Sequence, residues 1–324
     1  MLSSKEEVVS ASNGLHYDRA RQIKAFDDSK AGVKGLLDAG IQEIPQFFVM
    51  PPEEICYKKS GSNLQKPQIP IIDLKDIDKD AMRHKEAIRE IKQAFEKWDF
   101  SRFNEQPTEI KHEFYSRDSS KKIPPNPDEL PATCREIIIE YSKQVNKLGL
   151  TIFEQLAEGL GPNRDYLLDM DCAKGHYFVC HYYPACPQPD RTLGTSRHCD
   201  PDFITILLQD HIGGLQVFYL DQWIDVPPVE GALIVNAGEM LQLITNDKFS
   251  SAEHRVVANS AGPRISVACF FSTRLQPLER LYGPIKELLS NDTPPLYRET
   301  PLCDYIAYYH AKGLGKSVLP DFKL

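Results

Sequence analysis

The stretch Thr195-Ser196-Arg197-His198-Cys199-Asp200-Pro201-Asp202-Phe203 sets an imidazole and a carboxylate two residues apart, shortly after a proline-rich loop. In an extended strand, residues i and i+2 face the same way. His198 and Asp200 are therefore expected to converge on one point, with Cys199 facing the opposite side. The pair is two thirds of a 2-His-1-carboxylate facial triad, the arrangement that holds non-haem Fe(II) and leaves the far side of the ion open. Alone it decides little. With nine His and 24 Asp in 324 residues, chance yields about two-thirds of one His-x-Asp.

The chain around this stretch reads as sheet. Tyr177–Cys180, Ile204–Leu208, Gly214–Phe218, Trp223–Val226, Ala232–Asn236, His254–Val257 and Ile265–Phe271 are short apolar runs. Turn residues such as Gly213-Gly214, Pro227-Pro228 and Ala261-Gly262-Pro263 separate most of them. Evenly spaced short strands predict a sandwich or barrel, and an internal ligand site makes a jelly roll the economical choice.

Helices flank this region. Asn126-Pro127-Asp128-Glu129 combines an N-cap, Pro at N1 and an acid at N3. The helix it opens repeats Tyr141, Val145, Leu148, Ile152, Leu156 and Leu160 every three to four residues and ends at Gly161-Pro162. Nearer the N-terminus, the pattern predicts helix from Tyr17 to Asp38, interrupted around residues 27–30 and capped by Gly40. A strand is expected at residues 69–74, and a helix from Asp78 to about Trp98. The last 45 residues read as helical.

Composition narrows the function. A net charge of −8 argues against nucleic-acid and anionic-membrane partners. No run approaches the ~18 apolar residues of a membrane span. The N-terminus lacks the features of a leader peptide, so the cytoplasm is expected. The eight cysteines form no Cys-x-x-Cys pair, which argues against a zinc ribbon or dithiol site.

His254 is the natural third ligand. It opens a strand 54 residues after Asp200, a separation that lets a sandwich chain return to the same mouth. A hydrogen-bonded surface or edge position is the commoner role for any single His, and His176, His181 and His211 are rival ligands. Ten residues beyond His254 comes Arg264-Ile265-Ser266. In a strand Arg264, Ser266, Ala268 and Phe270 share one face, and a guanidinium pointing inward needs an anion there. Arg beside a hydroxyl suits a carboxylate. Tyr183, in His181-Tyr182-Tyr183-Pro184, can add a phenolic donor. An outward-facing edge charge is the alternative for Arg264.

Together, His-x-Asp, the later His, Arg-x-Ser and the Tyr-Tyr-Pro loop resemble the plant 2-oxoglutarate- and Fe(II)-dependent dioxygenases. The closer likeness is to the aminocyclopropane-carboxylate-oxidase homologue subgroup. Tyr17-Asp18-Arg19-Ala20, Gly32-Val33-Lys34-Gly35-Leu36 and Ile69-Pro70-Ile71-Ile72-Asp73 resemble that subgroup too. The resemblance implies an α+β fold, a double-stranded β-helix (jelly roll) core with flanking N-terminal and C-terminal helices. It divides the chain into an N-terminal region 1–125, a long-helix region 126–170, a jelly-roll domain 171–275 and a C-terminal helical segment 276–324. It implies Fe(II) on His198, Asp200 and His254, and the distal carboxylate of 2-oxoglutarate on Arg264 and Ser266 with Tyr183 assisting. Phe270 matches a position that lines the substrate pocket. Many relatives have Asn where His181 stands, but the subgroup resembles His181. The implied reaction hydroxylates or desaturates a small organic molecule of specialised metabolism, using O2, releasing succinate and CO2, with ascorbate as reductant. No catalytic side chain beyond the metal ligands is implied, and a monomer is expected.

The chain departs from the family at two places. After Trp98 it runs through Asp99-Phe100-Ser101-Arg102-Phe103 into Asn104-Glu105-Gln106-Pro107, without the family's core strand, Asn-His-Gly turn and following helix. Between Lys122 and Ile123-Pro124-Pro125 it lacks a strand pair and a Trp-Arg-Asp segment that borders the family's substrate pocket. The metal end is therefore expected complete and the substrate end shortened. Three rival readings follow: an aminocyclopropane-carboxylate-oxidase reaction, a catalytically impaired or non-catalytic homologue, and a zinc hydrolase. Arg264 and Ser266 argue against the last, because hydrolysis needs no dicarboxylate anchor.

Overall fold

The structure, a computed structural model, describes residues 19–55, 69, 135–273, 280–315 and 317–324. The expected strand after residue 69, the helix from Asp78 to Trp98, both departures from the family and the helix start at 126–129 lie outside the described residues.

Among the described residues, eight strands build the core: β1 (Gly175–Tyr183), β2 (Leu193–His198), β3 (Ile204–Gln209), β4 (Leu215–Tyr219), β5 (Gln222–Asp225), β6 (Ile234–Ala237), β7 (His254–Val257) and β8 (Arg264–Ser272). They form two four-stranded antiparallel sheets, ordered β1-β8-β3-β6 and β2-β7-β4-β5. Apart from the β4–β5 hairpin, each strand lies in the opposite sheet from the one before it, which is the jelly-roll winding. This is the α+β fold expected.

The two faces of β8 show why the core is built this way. Val267, Cys269 and Phe271 point outward and join the large cluster that includes Tyr141, Val145, Leu148 and Phe153. Ala268 lies between the sheets with Leu207, Leu215, Val226 and Val256, and Phe270 packs against them. The outward set is covered by helix α1 (Arg135–Leu160), whose buried residues are Tyr141, Val145, Leu148, Gly149, Phe153 and Ala157. The expected Ile152, Leu156 and Leu160 are only partly buried. A 3.6-residue turn does not divide seven, so the contact stripe slips by one residue along so long a helix. Gly149 lets α1 press close, since a Cβ there would stand 2.1 Å from Phe271 Cζ.

A second helix, α2 (Glu239–Ile244), follows β6, and a third, α3 (Leu302–Lys312), lies near the C-terminus. Among the described residues after 279, α3 is the α-helical part. Leu281–Tyr282 and Thr300–Pro301 instead pair as a short antiparallel ribbon. Pro284, Pro294, Pro295 and Pro301 account for the difference, because each removes a backbone donor and resists helix. The buried Glu239 carboxylate fixes α3 to the core. It accepts hydrogen bonds from Tyr305 Oη at 2.6 Å and from Ser317. At the other end, a helix over residues 19–29 is separated from Gly32–Asp38 by Lys30 at φ 54°, as the interrupted pattern predicts. Gly40, at φ 75°, follows the second helix as expected. No helix among the described residues is long and apolar enough to cross a membrane.

Candidate metal centre and buried arginine pocket

Strand β2 stops at His198, and Asp200 lies in the turn beyond it. Convergence is thus achieved by the turn, which replaces the continued strand that simple alternation predicted. Cys199 faces away, towards Ser251 and Glu239, as expected. His254 begins β7 and pairs directly with His198 across the sheet. The two ring centroids are 4.3 Å apart. His198 Nε2 and His254 Nε2 stand 3.7 and 3.6 Å from the same Asp200 Oδ1. One ligand atom from each of the three residues falls within 4.8 Å of the others.

Both imidazoles are oriented by their other nitrogen. His198 Nδ1 is 2.8 Å from the Ser196 carbonyl and His254 Nδ1 is 3.0 Å from the Ala252 carbonyl. With Nδ1–H donating to a carbonyl, each ring presents a neutral Nε2 lone pair to the centre, as a metal-binding imidazole must. Burial and the neighbouring His254 lower the His198 pKa, which also favours the unprotonated ring. Asp200 is oriented too, because Thr205 Oγ1 donates to its Oδ2 at 2.6 Å and leaves Oδ1 to the centre. Thr205 was not anticipated from the sequence. Its signal is a hydroxyl within the apolar run Ile204–Leu208, where a polar residue calls for a buried partner.

Of the rival histidines, His176 points outward and lies 2.8 Å from Ser142 Oγ on α1. His211 is exposed in the β3–β4 connection. His181 lies on the inner face of β1, opposite Ser266. Its Nδ1 is buried and has no hydrogen-bond partner among the described residues. Burial, then the Arg264 and His198 charges, lower its pKa to about 4, so the ring is neutral near pH 7.

Arg264 points inward and is fully buried, which rules out the edge-charge alternative. Its Nε donates to the Gly213 carbonyl at 2.6 Å, Nη1 to Ser266 Oγ at 2.9 Å, and Nη2 to Gln209 Oε1 at 3.1 Å. The guanidinium carbon also lies 5.1 Å from the Tyr183 ring centroid, and Tyr183 Oη is 2.9 Å from Thr195 Oγ1. Every one of these partners is neutral. Arg264 forms no ion pair among the described residues, so this buried cation still calls for an anion. Gln209 and Gly213 were not among the expected residues, although a polar residue closing the apolar β3 run was a visible sign of the first.

The register arranges these groups in rungs. Along β8 and β1, Arg264 pairs with Tyr183, Ser266 with His181, Ala268 with Val179, and Phe270 with Tyr177. Strand β3 adds Gln209 opposite Ser266, Leu207 opposite Ala268, and Thr205 opposite Phe270. The inner face therefore runs from a cationic, hydrogen-bonding end, through an apolar middle, to an aromatic end beside the His/Asp/His centre. Six residues of strand, about 20 Å, separate Arg264 from Phe270.

A family model described as the 2OG-Fe(II) oxygenase superfamily matches residues 174–273, the span that carries every one of these groups. The chain is also 48% identical over 355 positions to 1-aminocyclopropane-1-carboxylate oxidase homolog 1 of Arabidopsis thaliana, covering 95% of this chain and 97% of that protein. The chain belongs to the 2OG-Fe(II) oxygenase superfamily. Within it, this dioxygenase falls among the plant aminocyclopropane-carboxylate oxidase homologues. A tomato (Solanum lycopersicum) homologue is 43% identical over 360 positions, covering 95% of this chain and 98% of its own length. As a 2OG-Fe(II) oxygenase it is an oxidoreductase that acts with O2 on a small molecule. Among solved structures, JOX2 in complex with 2OG, Fe and JA matches with a TM-score of 0.73 and 28% identity, over 89% of this chain and 96% of that one. The rice dioxygenase for auxin oxidation shares the fold, at a TM-score of 0.57, 21% identity and coverage of 75% and 86%.

The superfamily's iron and 2-oxoglutarate fit the residues present. Two imidazoles and a carboxylate form a donor set suited to Fe(II). Arg264, held by neutral groups alone among the described residues, and the His181 Nδ1 are buried polar groups on the same inner face. The alignments of 355 and 360 positions are longer than the 324-residue chain, so these relatives carry residues that have no counterpart here.

Proposed function

We propose that this dioxygenase holds Fe(II) on His198, Asp200 and His254 and anchors 2-oxoglutarate by its distal carboxylate on Arg264. Ser266 and Tyr183 assist, and Gln209 and the Gly213 carbonyl brace the guanidinium. The observation that carries this reading is a fully buried arginine hydrogen-bonded only to neutral groups among the described residues, on the inner face that leads to three converging candidate metal-ligand atoms. Together the bound iron and 2-oxoglutarate supply the oxidising chemistry, with succinate and CO2 as the co-substrate's products.

The side chains bind and orient. Thr205 keeps one carboxylate oxygen of Asp200 occupied so that the other faces the centre. The Ser196 and Ala252 carbonyls hold each ring's proton on Nδ1. His181, neutral and without a partner of its own, is available to hydrogen-bond an oxygen atom between the anchor and the centre. Phe270 stands at the far end of the face, where a small organic substrate would be hydroxylated or desaturated.

A buried cation with only neutral hydrogen-bond partners among the described residues favours 2-oxoglutarate turnover over the aminocyclopropane-carboxylate-oxidase reaction, which would reveal itself by ethylene release. A second reading rests on the residues this chain lacks relative to its relatives: a homologue that keeps the ligand set and binds without turning over. One measurement separates them. Purified protein with Fe(II), ascorbate and 2-oxoglutarate should release succinate well above a folded His198→Ala control. Equal release from both would overturn the catalytic reading and leave the binding one.

A further inference from the structure

We propose that Arg197 and Glu253 form an ion-pair clamp behind the two histidines, a pair of positioning residues that sets how tightly the centre holds its metal. The proposal rests on the metal reading given above.

The clamp grows out of a pattern that two strand ends share. Ser196-Arg197-His198 closes β2, and Ala252-Glu253-His254 leads into β7. In each, the carbonyl of the first residue lies within hydrogen-bond distance of Nδ1 of the third, 2.8 Å for His198 and 3.0 Å for His254. The middle residue carries a charge, and the two charges are opposite. Arg197 Nη2 donates to Glu253 Oε2 at 2.7 Å, and Arg197 Nε donates to Glu253 Oε1. A two-point fork of this kind fixes direction as well as distance.

The pair lies on the outer face of its sheet. His254 shares the inner face with Val217, its partner in β4, so Phe218 faces outward. The Arg197 guanidinium carbon is 5.7 Å from the Phe218 ring centroid. Because β2 and β7 run antiparallel, Arg197 and Glu253 stand on either side of the His198–His254 rung, and their ion pair crosses it diagonally.

Backbone pairing is interrupted at this point. His198 is the last residue of β2 and His254 the first of β7, so the rung that carries both histidines is the end of the ladder. Between Thr195 opposite Val256 and His198 opposite His254, β2 advances three residues while β7 advances two. Such a bulge leaves a residue unpaired and disrupts the ladder locally. A metal needs the two Nε2 atoms held at fixed places beside Asp200, which Thr205 holds separately from the other sheet. The ion pair supplies the restraint that the backbone lacks. General stabilisation is a poor account of it, since side chains that are 40% and 18% exposed make a pair that contributes little to folding. Each member instead sits between an imidazole and the carbonyl that orients it, so fixing the pair fixes both rings.

Mn(II) titrated into the metal-free full chain under argon, with free Mn(II) read from its EPR signal, tests this. Arg197→Met and Glu253→Gln should each weaken binding about tenfold, the lower end of the loss expected when a partner behind a metal ligand is removed. The double variant should lose about as much as either single one, because each substitution already breaks the same pair. Arg197→Lys, which keeps the charge and loses the fork, should fall between native and Arg197→Met. Lys24→Met, which breaks an exposed ion pair with Asp28 on the N-terminal helix, should bind as the native protein does. Melting of the metal-free variants should stay close to native. Native-like binding in both single variants overturns the proposal, as does a double variant whose loss is the product of the two single losses. A loss confined to variants whose metal-free melting midpoint also falls, with Arg197→Lys no tighter than Arg197→Met, overturns it too and marks the pair as structural. Native protein that binds no Mn(II), or binds it equally well after His254→Ala, overturns the metal reading itself.

Discussion

His181 shows how far a single side chain's surroundings can set its chemistry. Burial, Arg264 and His198 together hold its pKa at about 4, against 6.5 for a free imidazole. Below pH 6.5 the unfolded chain takes up a proton that the folded protein refuses, so stability is lost as pH falls from 6.5 towards 4. His198 is shifted in the same direction and adds to the loss. In metal-free protein, the urea midpoint should therefore drop between pH 7.5 and pH 5. The drop should be smaller in His181→Phe, which has no proton to take up at that position. An equal drop in both proteins would mean that His181 is not held neutral. Arg264 makes a complementary point. Its partners hold it in place without cancelling its charge, so geometry is settled before any anion arrives.

At the scale of elements, β8 joins both halves of the molecule. One face carries Arg264, Ser266 and Phe270 to the site, while the other buries Val267, Cys269 and Phe271 under α1. The position of the site therefore depends on how closely α1 seats. Phe271 is wedged between Phe153, at a centroid distance of 6.0 Å, and His176 at 5.6 Å. A methyl group at position 149 would strike that ring. Gly149→Ala should thus destabilise the protein by about 1–3 kcal/mol, the usual cost of overpacking a filled core. The helical setting favours Ala over Gly by about 1 kcal/mol, so a net loss would show that packing outweighs propensity. Denaturant melting of the two proteins measures it, and a gain in stability would show that α1 can shift freely.

For the whole molecule, the jelly roll places the three proposed metal ligands on one sheet and the turn after it, and the proposed arginine anchor on the other. His198 and His254 are in the β2-β7-β4-β5 sheet, while Arg264 and Ser266 are in the β1-β8-β3-β6 sheet. Ligands that engage both sheets should stabilise the folded state as a unit. Fe(II) or Mn(II) added with 2-oxoglutarate at about 100 times the dissociation constant should add about 2.7 kcal/mol. A thermal shift should follow in the native protein and be largely lost in Asp200→Ala. An identical shift in the variant would place the binding elsewhere.

Much of this was legible along the chain. The apolar runs and their turns implied the sandwich, because strand alternation is local and repeats every two residues. His198, Asp200, His254, Arg264 and Ser266 stood out because unlike chemistry interrupted that alternation at telling intervals. Their roles as ligands and anchors remain our proposal. What the sequence could not show was any contact set by register between distant strands. Thr205 on Asp200, and Gln209 and the Gly213 carbonyl on Arg264, all join residues whose proximity is decided by which strands pair. Even the opening pair was refined: His198 ends its strand, and it is the turn after it that brings Asp200 back to the same point. The sequence by itself determined which chemical groups are available and that most of them lie in or beside strands. Only the tertiary structure decided that Arg264 is fully buried and hydrogen-bonded to neutral groups among the described residues, because satisfaction of a buried polar group depends on every neighbour at once.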